Sequence, residues 1–374
     1  MDKQRLKRLE EFIAPLRVKP GKRVKLARDF DPAYKAEINK KKEGVALVTQ
    51  GVQDLSEYQA RLAAQDTWGV LVVLQALDAA GKDGLIRHVM TGVNPQGVRV
   101  ESFKVPSSEE LGHDFLWRYA RKLPARGQIG IFNRSHYEEV LVVRVHPENL
   151  DRQRLPKAAR KADIWRRRYQ EINDWERHLT DNGFKIVKLF LNLSKEEQRT
   201  RFLRRLDLPD HNWKFSSADL RERERWDDYQ TVFSDMLSNT STEWAPWHVI
   251  PADRKWFARL AGGAVILQAL MQIDPRFPVV DKQQREALAE AKAALVAQAP
   301  KGAAPDPFEQ QRGNGAATKA SSNGSDGADP TAARAAVRKA AAAEVKPAPS
   351  SEASADEPEE GDDPAPSREE PEAP

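Results

Sequence analysis

The period of the apolar positions changes several times along the chain, and each change marks a predicted element. Trp68-Gly-Val-Leu-Val-Val-Leu-Gln75 is a continuous β-branched run, the pattern of a strand buried on both faces in a parallel sheet. Residues 98–105, 128–132, 185–191 and 247–251 are further short strand segments. Leu55, Tyr58 and Leu62 recur at helical spacing within a helix expected over 45–65, as do Ile164, Trp165, Tyr169, Ile172, Trp175 and Leu179 over 157–180. A third long helix is expected over 216–237, with Ser216 or Ser217 as its N-cap and Trp226, Tyr229 and Phe233 on one face. Aromatic stripes of this kind are what packing against a sheet requires. Strands alternating with helices predict an α/β fold whose parallel central sheet is covered on both faces and binds ligands at the C-terminal ends of its strands.

No internal repeat is visible, which removes solenoid and propeller readings. Residues 1–44 read as an N-terminal extension, 45–275 as the α/β domain, 276–299 as a C-terminal helix and 300–374 as a tail. The tail holds 15 acidic and 8 basic residues, 11 of the 24 prolines and a single aromatic, Phe308. Such a segment cannot bury enough apolar surface to offset its ordering entropy, so it is expected to be disordered. The whole chain, with 60 Lys+Arg and 56 Asp+Glu, has a net charge of +4, but residues 1–299 alone carry +11. A basic body suits polyanionic partners. With no cysteine, a disulfide scaffold, a thiolate metal site and a cysteine nucleophile are all excluded. The N-terminus lacks a basic start leading into an apolar stretch, and the run near 69–74 is far shorter than the about 20 residues of a membrane span. A cytoplasmic protein without a membrane partner is expected.

Directly after the first strand comes Ala76-Leu-Asp-Ala-Ala-Gly-Lys-Asp-Gly84, followed by Leu85, Ile86, Val89 and Met90 at the spacing of a buried helix face. Strand, small-residue turn ending in lysine, then helix is the context of a phosphate-binding loop. Ala79, Ala80, Gly81, Lys82, Asp83 and Gly84 are the candidate phosphate-binding residues: small side chains let backbone N–H groups converge on phosphate oxygens, and the helix N-terminus adds positive potential. Two positions depart from the general pattern, Ala76 for the first glycine and Asp83 for the Ser/Thr. The alternative is an ordinary strand-to-helix turn with a surface lysine. A carboxylate in a phosphate cradle is repelled unless a cation lies between them, so Asp78 is expected to hold Mg²⁺ directly or through water.

A second constellation, Ile129-Gly-Ile-Phe-Asn-Arg-Ser-His-Tyr-Glu-Glu139, is a strand that ends in a polar burst. Asn133, where a metal-binding Asp often stands, is the second candidate metal residue. Arg134 can pair with phosphate, and Glu138 or Glu139 can orient a water or a base; His136 and Tyr137 read as structural side chains. A third block, Arg199-Thr-Arg-Phe-Leu-Arg-Arg205 with Lys214 and Arg221 beyond it, has the character of a lid that excludes water and supplies charge on closing. A solvated helix face is the alternative, because acidic residues alternate with these arginines.

Leu77-Asp-Ala-Ala-Gly-Lys82, Phe132-Asn-Arg-Ser-His-Tyr-Glu138, Trp213-Lys-Phe-Ser216 and Thr240-Ser-Thr-Glu-Trp-Ala-Pro-Trp-His-Val-Ile-Pro-Ala-Asp253, in this order, closely resemble the polyphosphate kinase 2 family over roughly 26–270. The resemblance implies a P-loop kinase-like three-layer αβα sandwich similar to thymidylate kinase, with an arginine-rich helical lid. It implies Mg²⁺ as cofactor, with Mn²⁺ able to replace it, and reversible phosphoryl transfer between inorganic polyphosphate and nucleotides: AMP, ADP and, as further acceptors, guanine nucleotides. It maps Asp78 and Lys82 to the catalytic carboxylate and lysine of the loop, Arg134 to the arginine of the second motif, and Arg204, Arg205 and Lys214 to the lid. Asn133 departs from the Asp of many members, and the form with Asn, His and Glu is similar to the subgroup that accepts both nucleoside mono- and diphosphates. A homodimer or homotetramer is expected on the same ground. Two other readings stay open: an ATP-dependent nucleotide or nucleoside kinase of the same fold, and a non-catalytic basic module that binds nucleic acid. Against the latter, no helix-turn-helix, zinc or RNP string is present and the aromatics sit at core spacing, so nucleic acid is not an expected partner.

Overall fold

Five strands, β1 (Gly69–Ala76), β2 (Val98–Ser102), β3 (Ile129–Asn133), β4 (Phe184–Asn192) and β5 (Trp247–Pro251), form one sheet in the order β2-β3-β1-β4-β5. Every pairing is parallel. A computed structural model describes residues 3–300 apart from 39 and 162; the tail expected to be disordered lies outside the described residues from 301 onward. β1 is central, and its continuous apolar run serves two cores at once. Val70, Val72 and Leu74 point into one, with Ile129, Ile131, Val187 and Leu189. Leu71 and Val73 point into the other, with Phe132, Ile186, Phe190 and Trp247. Each fully buried Val or Leu is worth about 1.5–3 kcal/mol relative to exposure.

The chain opens with α1 (Lys3–Ile13) and a short α2 (Leu26–Asp29), and α3 (Lys41–Gln65) leads into β1. α4 (Lys82–Val89) follows the turn after β1, and α5 (Trp117–Ala120) lies between β2 and β3. The connection from β3 to β4 contains α6 (Val142–Val145), α7 (Glu148–Arg152) and α8 (Ile164–Asp181). Beyond β4 come α9 (Lys195–Asp207), α10 (Ser217–Glu224) and α11 (Trp226–Thr240), and α12 (Lys255–Ile273) follows β5. Residues up to 279 make one unit; α13 (Lys282–Ala297), capped by Asp281 and Gln284 in a capping box, belongs to a second.

Helices α1, α3, α4 and α12 pack on the first core, and α8 and α11 on the second, which gives the three layers. Several details differ from the sequence pattern. The helix expected over 157–180 begins only at Ile164, behind a 3-10 turn at Lys157–Ala159. The helix expected over 216–237 is two: Ser216 caps α10 in a capping box with Asp219, no residue of α10 is buried, and the chain leaves helical geometry at Arg225 before the buried stripe begins at Tyr229. β2 stops at Ser102, because Phe103 turns into the second core and Val105 is exposed beside Pro106. Finally, the stretch read as an extension supplies Ile13 and Leu16 to the first core and Val18, Val24 and Leu26 to the second. α12 has the length and apolarity of a membrane span, yet 67% of that window is buried within the protein, as for a helix at the centre of a core.

Candidate functional site

Parallel pairing sets Leu74 of β1 opposite Asn133 of β3, so the two sequence motifs leave adjacent strands at the same end of the sheet. After β1 the turn is held by Ala80 N donating to Leu77 O at 3.3 Å. Ala79 and Gly81 both have positive φ, +65° and +101°. Glycine adopts this region freely, whereas a non-glycine residue there costs about 1–3 kcal/mol and persists only where its surroundings enforce it. Alternation of this kind turns successive amides toward one side, the geometry of an anion nest, and the first amides of α4 lack intrahelical acceptors.

Arg134 follows β3 with φ +63° and its N–H donates to Leu74 O at 3.1 Å, a second strained position beside the first. Its guanidinium donates to Asp78 Oδ1 at 2.8 Å, and Lys82 Nζ stands 4.0 Å from the same oxygen. Lys82 Nζ also donates to Ala76 O at 3.1 Å. Asn133 Nδ2 donates to Asp83 Oδ1 at 2.7 Å. Gln75 completes the floor by donating to Glu138 Oε1 at 3.0 Å while accepting from Ser135 N at 3.0 Å. Asp78, Lys82, Asp83, Asn133, Arg134 and Glu138 are therefore brought together.

The charges in this cluster set one another. Burial alone would raise the Asp78 carboxyl, but Lys82, Arg134 and Arg205 together hold it below the ordinary carboxylate range. Burial lowers Lys82 despite the opposing pull of Asp78, and burial raises Glu138 despite Arg134 and Lys82. Asp78 is thus a firm anion, whereas Glu138 holds its proton more readily than an ordinary glutamate.

Glu139, the other candidate acid, faces away: it accepts from Arg168 Nε at 2.9 Å and Gln153 at 2.7 Å. His136 and Tyr137 are fully buried and meet Glu176, at 3.2 and 2.7 Å. Lys188 on β4 donates to Glu176 at 2.6 Å, Tyr137 Oη at 2.9 Å and Thr240 O at 2.6 Å. This network anchors the 3-10 turn His136–Val140 that carries Glu138. Sequence reading missed Glu176 and Lys188; the one signal was a lysine in the middle of the otherwise apolar stretch Ile186–Leu191 of β4.

In the basic block, Arg204 and Arg221 are exposed, while Arg205 and Lys214 are half-buried. Arg205 stands 3.8 Å from Asp219 and acts electrostatically on Asp78; Lys214 Nζ lies 5.1 Å from the centre of the Trp213 ring. Arg201, inside the same string but not singled out from sequence, turns inward and is buried together with Gln198. The signal was weak: Glu197, Gln198 and Arg201 share a helical face with the apolar Phe202.

No cluster of three or more His, Asp or Glu suited to a metal occurs among the described residues. The donor set nevertheless fits a magnesium-sized ion, which takes one or two carboxylates and completes its shell with water and substrate phosphates. Asp78 and Asp83 supply hard oxygen donors at the turn, and Asn133 Oδ1 is buried without a hydrogen-bond partner.

Known proteins are similar to this chain in sequence and in fold. A family model described as Polyphosphate kinase 2 (PPK2) matches residues 38–278. An ADP-polyphosphate phosphotransferase of Rhodopseudomonas palustris is 47% identical over 284 residues, covering 75% of this chain and 97% of that relative. An AMP/ADP-polyphosphate phosphotransferase of Meiothermus ruber is 44% identical over 266 residues, 70% of this chain and 94% of the relative. The crystal structure of Polyphosphate Kinase 2 from Arthrobacter aurescens superposes with a TM-score of 0.68 at 41% identity, covering 76% of this chain and 95% of that one.

Proposed function

The chain belongs to the polyphosphate kinase 2 family, and from that premise we propose that it moves phosphoryl groups from inorganic polyphosphate to both AMP and ADP, reversibly and in the cytoplasm, as a homodimer or homotetramer. The observation that carries the chemistry is the cluster of Asp78, Lys82 and Arg134 at the ends of two adjacent strands.

In the forward step an acceptor phosphate oxygen forms a bond to the terminal phosphorus of the polymer as the bridging P–O bond breaks. The electron pair stays on the shortened chain. Phosphate monoesters have a second pKa of about 6, so the attacking oxygen is already ionised near neutral pH and needs no strong base. A carboxylate held below its ordinary range, as Asp78 is, is a poor proton acceptor and a good anchor for cations. Lys82 and Arg134 stabilise the charge spread over the transferring group, and the amides of Ala79 and of residues 81–84 cradle its oxygens, that of Ala80 being engaged by Leu77 O. Arg204, Arg205, Lys214 and Arg221 bind the polymer, which offers a run of negative charge and no base to recognise. Asp78, with Asp83 and Asn133 beside it, would hold Mg²⁺, which would supply neutralisation of phosphate charge. Mn²⁺ has the same hard-oxygen preference.

The test is an assay with purified protein, Mg²⁺ and long-chain polyphosphate, offering AMP and ADP separately and resolving all nucleotides by chromatography. ATP from both acceptors is expected. ATP from ADP alone would remove the dual-acceptor assignment, and no product while ATP phosphorylates some acceptor would replace the donor.

A further inference from the structure

The phosphate turn is held from outside by two side chains of α9. Asp78 O accepts from Gln198 Nε2 at 3.0 Å, while Ala79 O and Ala80 O both accept from Nη1 of Arg201, at 3.0 and 2.9 Å. Nη2 of Arg201 reaches Ala252 O at 2.6 Å, just past β5, and Nε pairs with Glu197 at 2.8 Å. Each guanidinium nitrogen therefore ends on protein oxygen, and with 8% exposure Arg201 is not a cation offered to a polymer. A buried guanidinium is tolerated only when bonded so fully.

What this arrangement does follows from peptide geometry. In a trans peptide the N–H points opposite to the C=O. Drawing the carbonyls of Asp78 and Ala80 toward α9 turns the amides of Ala79 and Gly81 to the far side, as a phosphate cradle requires. The amide between them, Ala80 N, is engaged by Leu77 O. The same hydrogen bonds hold Ala79 at its positive φ, a conformation its own side chain disfavours. Gln198 in turn accepts from Arg223 of α10 at 2.9 Å, so α10 is tied to the turn as well.

We propose that Arg201 is a positioning residue for phosphoryl transfer: with Gln198 it fixes the phosphate turn with its amides presented to the transferring group. This rests on the phosphotransfer reading above. The test compares the full chain with Arg201→Ala, Arg201→Lys and Gln198→Ala, measuring steady-state turnover and, by calorimetry, affinity for inorganic polyphosphate. Circular dichroism accompanies both. Misplacement of about 1 Å costs on the order of a hundredfold, so Arg201→Ala is expected to lose about that factor in kcat and to bind polyphosphate more weakly. Added guanidinium ion should restore at least about tenfold of the turnover of Arg201→Ala, where added methylammonium does not. Arg201→Lys, which reaches one direction only, should remain impaired. A folded Arg201→Ala within about threefold of the parent, or a loss that guanidinium leaves unchanged, would overturn the proposal. If Arg201→Ala does not fold, Gln198→Ala decides: a roughly tenfold fall in kcat supports the proposal and parental turnover overturns it. A parent that binds polyphosphate without transferring phosphate would remove the reaction assigned above, and the affinities of the variants would still judge the cradle.

Discussion

Two residues carry the clearest consequences of their surroundings. Lys82 is surrounded by Asp78, Glu138 and the carbonyl of Ala76, a setting that places its ammonium at the turn proposed to cradle the transferred phosphoryl group. Lys82→Ala is expected to lower turnover at least about a hundredfold, as removal of one preorganised donor does, with an unchanged circular dichroism spectrum; near-parental turnover would take Lys82 out of the reaction. His248, on β5, is neutral in the folded chain: burial first, and then the cation of Arg17, push it down to about 3 from 6.5. Below pH 6.5 the unfolded chain takes up a proton that the folded chain refuses. The stability from this site is therefore complete above pH 6.5 and is lost progressively as pH falls toward 3. At ~1.4 kcal/mol for each pH unit of that window, the loss is on the order of 4–5 kcal/mol. Urea titrations across the range should show a shallower decline for His248→Leu than for the parent, and parallel curves would contradict the assignment.

Among the elements, β4 and α8 are tied through side chains to the turn after β3, although β1 lies between β3 and β4. Lys188 and Glu176 are both fully buried and 2.6 Å apart, and they hold the turn after β3 from behind. Removing one member of a buried pair leaves an uncompensated charge and costs about 3–5 kcal/mol. Lys188→Met should lose stability of that size, read as a lower urea midpoint, and Lys188→Met combined with Glu176→Gln should recover part of it. A double variant no better than the single one would mean that the hydrogen bonds to Tyr137 and Thr240 O, not the charge pair, carry the stability. α9 divides in the same functional sense: Gln198 and Arg201 face the phosphate turn, while Arg204 is exposed one helical turn later. One helix thus carries both the side chains proposed to shape the phosphate turn and a cation proposed to meet the polymer.

At the scale of the whole molecule, the +11 of residues 1–299 is a long-range attraction for any polyanion. Binding that neutralises phosphates releases counterions, so affinity falls linearly with salt on logarithmic axes. Polyphosphate affinity should drop at least about tenfold between ~50 and ~200 mM salt, measured by calorimetry, while the thermal midpoint of the free protein changes little. Affinity independent of salt would point to a site that recognises a chain end rather than a run of charge.

Much of this protein was legible in the chain itself. The apolar run of β1, the small-residue turn and the lysine at its end are local signals, because strand burial and anion nests are written within about ten consecutive residues. What the pattern could not express was which distant residues meet. Glu138 and Glu139 are neighbours in sequence, but the twist of the 3-10 turn sends one to Lys82 and the other to Arg168. α12 is apolar on every side and so has no stripe for periodicity to detect, although it lies at the centre of a core. Arg201 looked like one more lid arginine. Its partners, 122 and 51 residues away at Ala79 and Ala252, adjoin it only because β4 lies between β1 and β5. Local sequence determined the chemistry of the turn; the order of strands in a parallel sheet, which no local pattern encodes, decided what holds that turn in place.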